Sequence, residues 1–215
     1  MAYDVVIFDM DGTLLDTLDD LMDSCNYALS TIGAPPRTRE EIRQFVGNGI
    51  RNLMLQAVPD GEANPEFEQA YETMQTWYKA HNQIKTAPYP GVQQLIRTLR
   101  EQGVPMAVVS NKPDSSVQML VEQWFPEITF GLGEREGLRR KPERDMVDYA
   151  LEQLGQTGKR AVYVGDSEVD LATATNAGLD CISVTWGFRD RELLVERGAK
   201  QFADTTEELL RLIRA

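Results

Sequence analysis

Apolar residues along this chain fall into two rhythms, short unbroken runs and helical stripes. The first run, Val5-Val6-Ile7-Phe8, is β-branched and aromatic and stops abruptly at Asp9. Four apolar residues without alternation describe a strand buried on both faces. From Leu18 the period lengthens. Leu18, Leu21, Met22, Cys25 and Leu29 share one helical face, and Gly33 with Pro35-Pro36 ends it. Thr38 with Glu41 predicts a capping box opening a short helix through Phe45 and Val46. Gly47-Asn48-Gly49 breaks that helix, and Ile50 to Ala57 suggests another. Asn64-Pro65 opens a longer one, with Phe67, Ala70, Tyr71, Met74, Trp77 and Tyr78 on one face. Residues 17–83 are therefore expected to be helical, as an insert after the first strand.

Beyond Pro88-Tyr89-Pro90-Gly91 the two rhythms alternate. A helix through Val92, Leu95, Ile96 and Leu99 precedes a strand from Val104 to Val109, which ends in Ser110-Asn111-Lys112-Pro113. A helix around Val117 to Trp124, a weak strand at Ile128 to Phe130, and a helix from Lys141-Pro142 through Leu154 follow. The strand Ala161 to Val164 ends in Gly165-Asp166-Ser167, before a helix with Leu171 and Ala174. Cys181 to Val184 is a strand and Thr206 to Arg214 a last helix. Short apolar strands separated by helices imply an α/β fold, a Rossmann-like parallel sheet with helices on both faces. The expected division is a discontinuous core, 1–16 and 84–215, carrying the inserted helical unit 17–83. In such sheets ligands bind outside the carboxyl ends of the strands. Three strand ends carry reactive residues: Asp9, Ser110 and Asp166.

Composition narrows the chemistry. With 42% hydrophobic residues, a 215-residue chain has material for a packed core plus an appendage. The net charge of −12 argues against nucleic acid or an anionic membrane as partner. No apolar run approaches membrane-spanning length. Met1 almost adjoins the first strand, so no signal peptide is expected and a cytoplasmic protein is the default. Cys25 and Cys181 lie too far apart for metal-ligand spacing and read as reduced thiols. His81 is the sole histidine, so acid–base chemistry near neutral pH falls to carboxylates. Asp9 and Asp11 stand two apart, where a regular strand points both the same way, and Gly12 permits a tight turn. Two crowded carboxylates need a cation or a proton to relieve them. Gly155-Gln156-Thr157-Gly158-Lys159-Arg160 is no P-loop, for it precedes a strand and lacks the earlier Gly and the following Ser/Thr.

Taken together, four motifs resemble those of the haloacid dehalogenase-like (HAD) superfamily: Asp9-Met10-Asp11-Gly12-Thr13-Leu14, Ser110 after an apolar strand, Lys141-Pro142, and Gly165-Asp166-Ser167-Glu168-Val169-Asp170. The resemblance spans essentially the whole chain, in order and spacing, and the helical insert is similar to that superfamily's small cap. It implies that Asp9 is a nucleophile forming an aspartyl-phosphate and that Asp11 is the general acid and base. It implies Mg²⁺ held by the Asp9 carboxylate, the Asp11 backbone carbonyl and Asp166, with Asp170 orienting from outside. Ser110, Lys141 and backbone N–H groups around Gly12 and Asn111 would hold the phosphoryl oxygens.

An acid two residues after the nucleophile is the pattern of superfamily phosphatases and phosphomutases. The first motif extended through Leu15-Asp16-Thr17, with Val46-Gly47-Asn48-Gly49, Pro88-Tyr89-Pro90-Gly91-Val92 and Ser110-Asn111-Lys112, is most similar to the pattern of phosphoglycolate phosphatases. The resemblance thus implies a small phosphorylated metabolite as substrate, with 2-phosphoglycolate the expected one. Pyrophosphatases, nucleotide or sugar-phosphate phosphatases and phosphomutases share much of the pattern. A phospho-aspartate signalling protein or a non-catalytic binding protein is the alternative of a different class. Asn48, Gly49 and Arg51 in the helical insert are expected to reach the leaving group, Arg51 as a bidentate carboxylate clamp. Arg51 in solvent behind a Gly-capped helix end is the competing expectation.

Overall fold

A computed structural model describes residues 3–215. Met1, from which the absence of a signal peptide is read, lies outside them. In chain order, β1 (Val5–Phe8) and β2 (Leu15–Asp16) precede four helices, α1 (Leu18–Thr31), α2 (Arg39–Phe45), α3 (Gly49–Ala57) and α4 (Phe67–His81). Next come β3 (Ala87–Pro88), α5 (Val92–Glu101), β4 (Met106–Pro113), α6 (Asp114–Trp124), β5 (Phe130–Glu134) and α7 (Asp145–Gln153). The chain ends with β6 (Ala161–Gly165), α8 (Glu168–Ala177), β7 (Asp180–Val184), α9 (Arg191–Glu196), β8 (Gln201–Ala203) and α10 (Thr206–Arg214). The described residues form two compact units, one of 3–15 and 88–215, the other of 16–87.

The first unit holds a six-stranded sheet in the order β5-β4-β1-β6-β7-β8, parallel throughout. Strand β1 sits between β4 and β6, with Val6 opposite both Met106 and Val162. Alternation along β1 divides the core. Val6 and Phe8 face a cluster with Val108, Leu95, Leu99, Leu120, Leu209 and Ile213 from α5, α6 and α10. Val5 and Ile7 face the other, with Val109, Met146, Val147 and Ala150 from α7. All four β1 side chains are fully buried, each contributing about 1.5–3 kcal/mol on transfer from water. That two-sided burial is why the run is unbroken.

The chain leaves β1 toward β4 and β5, then crosses to β6, β7 and β8 on the other side. The strand order reverses at β1. The carboxyl ends of β4, β1 and β6 are therefore neighbours, and the crevice outside them is where such sheets bind ligands.

Four helices build the second unit around buried Leu21, Cys25, Leu29, Ile42, Met54, Phe67, Met74 and Tyr78. The capping box forms: Glu41 N–H donates to Thr38 Oγ1 at 3.2 Å, and Thr38 N–H to Glu41 Oε2 at 2.8 Å. Buried Asp20, in the first turn of α1, accepts from the N–H groups of Lys85 at 3.0 Å and Thr86 at 2.9 Å. The unit's first helix is thereby tied to its exit segment.

Several boundaries shift from the sequence expectation. Strand β4 continues through Ser110, Asn111 and Lys112 to Pro113, its pairing with β5 irregular between Val109 and Pro113. Helix α7 starts at Asp145, four residues after Lys141, because 141–144 form a turn. Helix α4 starts at Phe67 instead of Asn64-Pro65, and the weak strand moves from 128–130 to Phe130–Glu134. Short α9 and β8 had no periodic signal. Among the described residues no helix is long and apolar enough to cross a membrane.

Candidate active site

Asp9 follows the last residue of β1, Asp166 the last residue of β6, and Ser110 lies near the end of β4. The register of three adjacent strands brings them to one edge of the sheet. Lys141 joins them from the turn before α7. Its Nζ lies 2.8 Å from Asp9 Oδ1 and 2.9 Å from Asp170 Oδ1, and it donates to the Tyr163 hydroxyl at 3.1 Å. Tyr163 in turn donates to the Val109 carbonyl at 3.1 Å. Asn111 Nδ2 donates to the Lys141 carbonyl at 3.1 Å, fixing the backbone that carries the lysine.

Asp170 takes four contacts through two oxygens. Its Oδ2 accepts from the N–H groups of Asp166 and Ser167 and from Ser167 Oγ at 2.6 Å, while Oδ1 faces Lys141. Those bonds include the capping box of α8. A carboxylate so fully used orients its neighbours; it has little left for a direct ligand role.

The charges do not balance. Asp9, Asp166 and Asp170 are buried with oxygen atoms within 4.8 Å of one another, and Lys141 is the ammonium among them. Ionised together, the three carboxylates would leave two negative charges beyond the one ammonium. Burial, then the charge of Asp170, pushes the Asp9 carboxyl well above the usual range, against the pull of Lys141. The same two causes push Asp166 up to about 7, partly opposed by the Phe188 N–H. Lys141 rises well above the usual lysine range because Asp170 and Asp9 outweigh its desolvation. A hard divalent cation on oxygen donors matches this deficit in both charge and chemistry, so the residues fit Mg²⁺.

The Gly12 N–H donates to the Leu15 carbonyl at 2.9 Å. What Gly12 supplies is space: at φ +82° it approaches Asp166 so closely that a Cβ would stand 2.3 Å from Oδ2. Ser110 is buried, and its Oγ accepts from the Lys112 N–H at 3.3 Å. In the helical unit Asn48 precedes the first residue of α3, Gly49. Arg51 Nη2 pairs there with Glu62 at 3.0 Å and Glu68 at 2.6 Å, and its guanidinium lies over the rings of Phe67 and Tyr71. A clamp at Arg51 requires both pairs to break.

Two contributors lie outside the motifs: Tyr163 holds Lys141, and the Phe188 N–H donates to Asp166 Oδ2. Two lie within quoted stretches but had no assigned role: Lys112 pairs with Asp11, and Thr13 Oγ1 donates to Asp166 Oδ1 at 3.2 Å. The usable signals were a lysine two residues after Ser110 in an extended chain, and a hydroxyl in an otherwise apolar strand that needs a partner when buried.

The family described as haloacid dehalogenase-like hydrolase matches residues 6–184. A curated phosphoglycolate phosphatase of Pseudomonas putida is 33% identical over 194 residues, 86% of this chain and 70% of that protein. A crystal structure from Lactobacillus delbrueckii subsp. bulgaricus, named by inference as a phosphoglycolate phosphatase, superposes with a TM-score of 0.94. It is 40% identical and covers 99% of both chains. A second, from Haemophilus somnus and similarly named, gives 0.89 at 26% identity, covering 99% of this chain and 98% of that one.

Proposed function

The chain belongs to the haloacid dehalogenase-like hydrolases, and we propose that it is a Mg²⁺-dependent phosphatase of a small phosphorylated metabolite, with 2-phosphoglycolate the leading candidate. The observation that carries this reading is the buried cluster of Asp9, Asp166 and Asp170 around the one ammonium of Lys141, at the switch point of the sheet. The names of the relatives support the substrate.

Asp9, Asp166 and the Asp11 backbone carbonyl would hold the cation, with Asp170 steadying Asp166 through its N–H. Bound there, it would screen the substrate's charge from the nucleophile and polarise a phosphoryl oxygen. Asp9 attacks phosphorus through a carboxylate oxygen, and the bond from phosphorus to the leaving oxygen breaks. Asp11 gives that oxygen a proton, releasing the alcohol. Asp11 then takes a proton from water as the water attacks the phosphoryl group on Asp9. The bond from phosphorus to Asp9 breaks, and Asp9 and phosphate are restored. Lys141 and Ser110 meet the charge on the phosphoryl oxygens as it develops.

The helical unit serves as the cap that selects the leaving group, through Asn48, Gly49 and their surroundings. A cytoplasmic location suits a small-metabolite substrate and free Cys25 and Cys181.

The test is phosphate release from phosphoglycolate, pyrophosphate, nucleoside monophosphates and hexose phosphates, with Mg²⁺ and with chelator. Phosphoglycolate turned over fastest, and nothing turned over in chelator, is expected. Isomerisation of a hexose phosphate outpacing phosphate release would instead make this a phosphomutase.

A further inference from the structure

The segment following β7, Thr185 to Arg189, carries none of the four motifs, yet it is bonded to two of them. The Phe188 N–H donates to Asp166 Oδ2 at 2.6 Å, while Thr13 Oγ1 donates to Oδ1 at 3.2 Å. Each oxygen of that carboxylate is thus held once, by two different stretches of chain. Trp186 Nε1 donates to the Thr13 carbonyl at 3.0 Å, tying the segment to the stretch that supplies the second of those donors. Arg189 Nε lies 2.9 Å from Glu168 Oε2, two residues beyond Asp166, and Arg189 is buried.

Gly187 has no room for a side chain. A Cβ there would stand 2.3 Å from the Cβ of Asp166 and 2.4 Å from the Gly12 carbonyl oxygen. Gly12 presses on the same carboxylate, so Asp166 is packed between two glycine backbones. A carboxylate offers about four lone-pair sites, and two bonds leave capacity on both oxygens for a cation.

We propose that residues 186–189 form a positioning element for Asp166, fixing its carboxylate in the ligating orientation before any cation arrives. Gly187 is its close-approach point, Phe188 N–H its direct hold, and Trp186 and Arg189 its anchors. This rests on Asp166 being a Mg²⁺ ligand. Ligands oriented in advance bind more tightly because no ordering remains to be done on binding, and loss of such support typically costs about 10- to 100-fold in metal affinity.

The test is calorimetric titration of the full chain with Mg²⁺, alongside the melting temperature of the metal-free protein. Gly187→Ala is expected to weaken Mg²⁺ binding by about 10- to 100-fold. Trp186→Phe, which keeps the ring and loses only the bond to Thr13, is expected to weaken it less but measurably. That variant decides the matter if Gly187→Ala fails to fold. Unchanged Mg²⁺ affinity in a folded variant, with only the melting temperature lowered, would make the segment a plain structural support and overturn the proposal. Wild-type protein that binds no Mg²⁺ would overturn the ligand reading beneath it and the proposal with it.

Discussion

Lys112 Nζ stands 2.8 Å from one carboxylate oxygen of Asp11 and 3.1 Å from the other. The lysine side chain is 2% exposed and the aspartate 16%, so the pair is sheltered from competing water. It exists because β4 continues past Ser110 to Pro113, which brings Lys112 to Asp11. Gripping both oxygens fixes the rotamer of the group assigned to proton transfer.

Lys112→Met should therefore lower kcat/KM most for substrates whose leaving oxygen needs a proton. With an alkyl phosphate the loss should approach that of Asp11→Asn, about 10²-fold or more. With dinitrophenyl phosphate, whose leaving group departs as a stable anion, it should be much smaller. Equal losses on both esters would mean that Lys112 contacts the phosphoryl group itself.

Asp166 makes the metal's effect depend on pH. Its carboxyl lies at about 7 in the folded chain, above the unfolded value, so folding favours the protonated form. The metal-free protein should lose this contribution as pH rises from about 4 toward about 7, and Mg²⁺, which binds the ionised form, should restore it. Mg²⁺ should raise the melting temperature more at pH about 8 than at about 6. A shift independent of pH contradicts this.

Lys141 is the ammonium shared by Asp9 and Asp170. Lys141→Met leaves buried carboxylates uncompensated, which costs about 3–5 kcal/mol when they are ionised. Denaturant unfolding in chelator should show that loss at high pH and a smaller one at low pH, where protonation relieves it. Turnover should fall by about 10²–10³-fold.

Arg51 tests how the helical unit is used. Its pairs with Glu62 and Glu68 are exposed. If they persist in the working enzyme, Arg51→Ala leaves KM for phosphoglycolate unchanged. A KM raised about tenfold with kcat preserved would show that Arg51 abandons both acids for the substrate carboxylate.

Asp9, Ser110 and Asp166 were legible because each follows an apolar run, and such runs become neighbouring strands whose ends converge. The capping box at Thr38 and Glu41 was legible because its logic spans three residues. The role of Lys112 was not: the resemblance included Ser110-Asn111-Lys112 without a partner for the lysine, and only the continuation of β4 to Pro113 shows it beside Asp11. Tyr163 looked like core because its ring is core; its hydroxyl acts at a distance of 22 residues, through Lys141. Gly187 and Phe188 act through backbone alone, which leaves no side-chain signature. The six-residue α9 and three-residue β8 are too short to show a period.

The central claim is that Asp9 carries the phosphoryl group. Acid-quenching the enzyme during turnover of phosphoglycolate with Mg²⁺, then mapping peptides by mass spectrometry, tests it most directly. A phosphoryl adduct on the peptide containing Asp9, absent in an inactive Asp9→Asn variant, is the expected result. Phosphate release that persists in Asp9→Asn would contradict it.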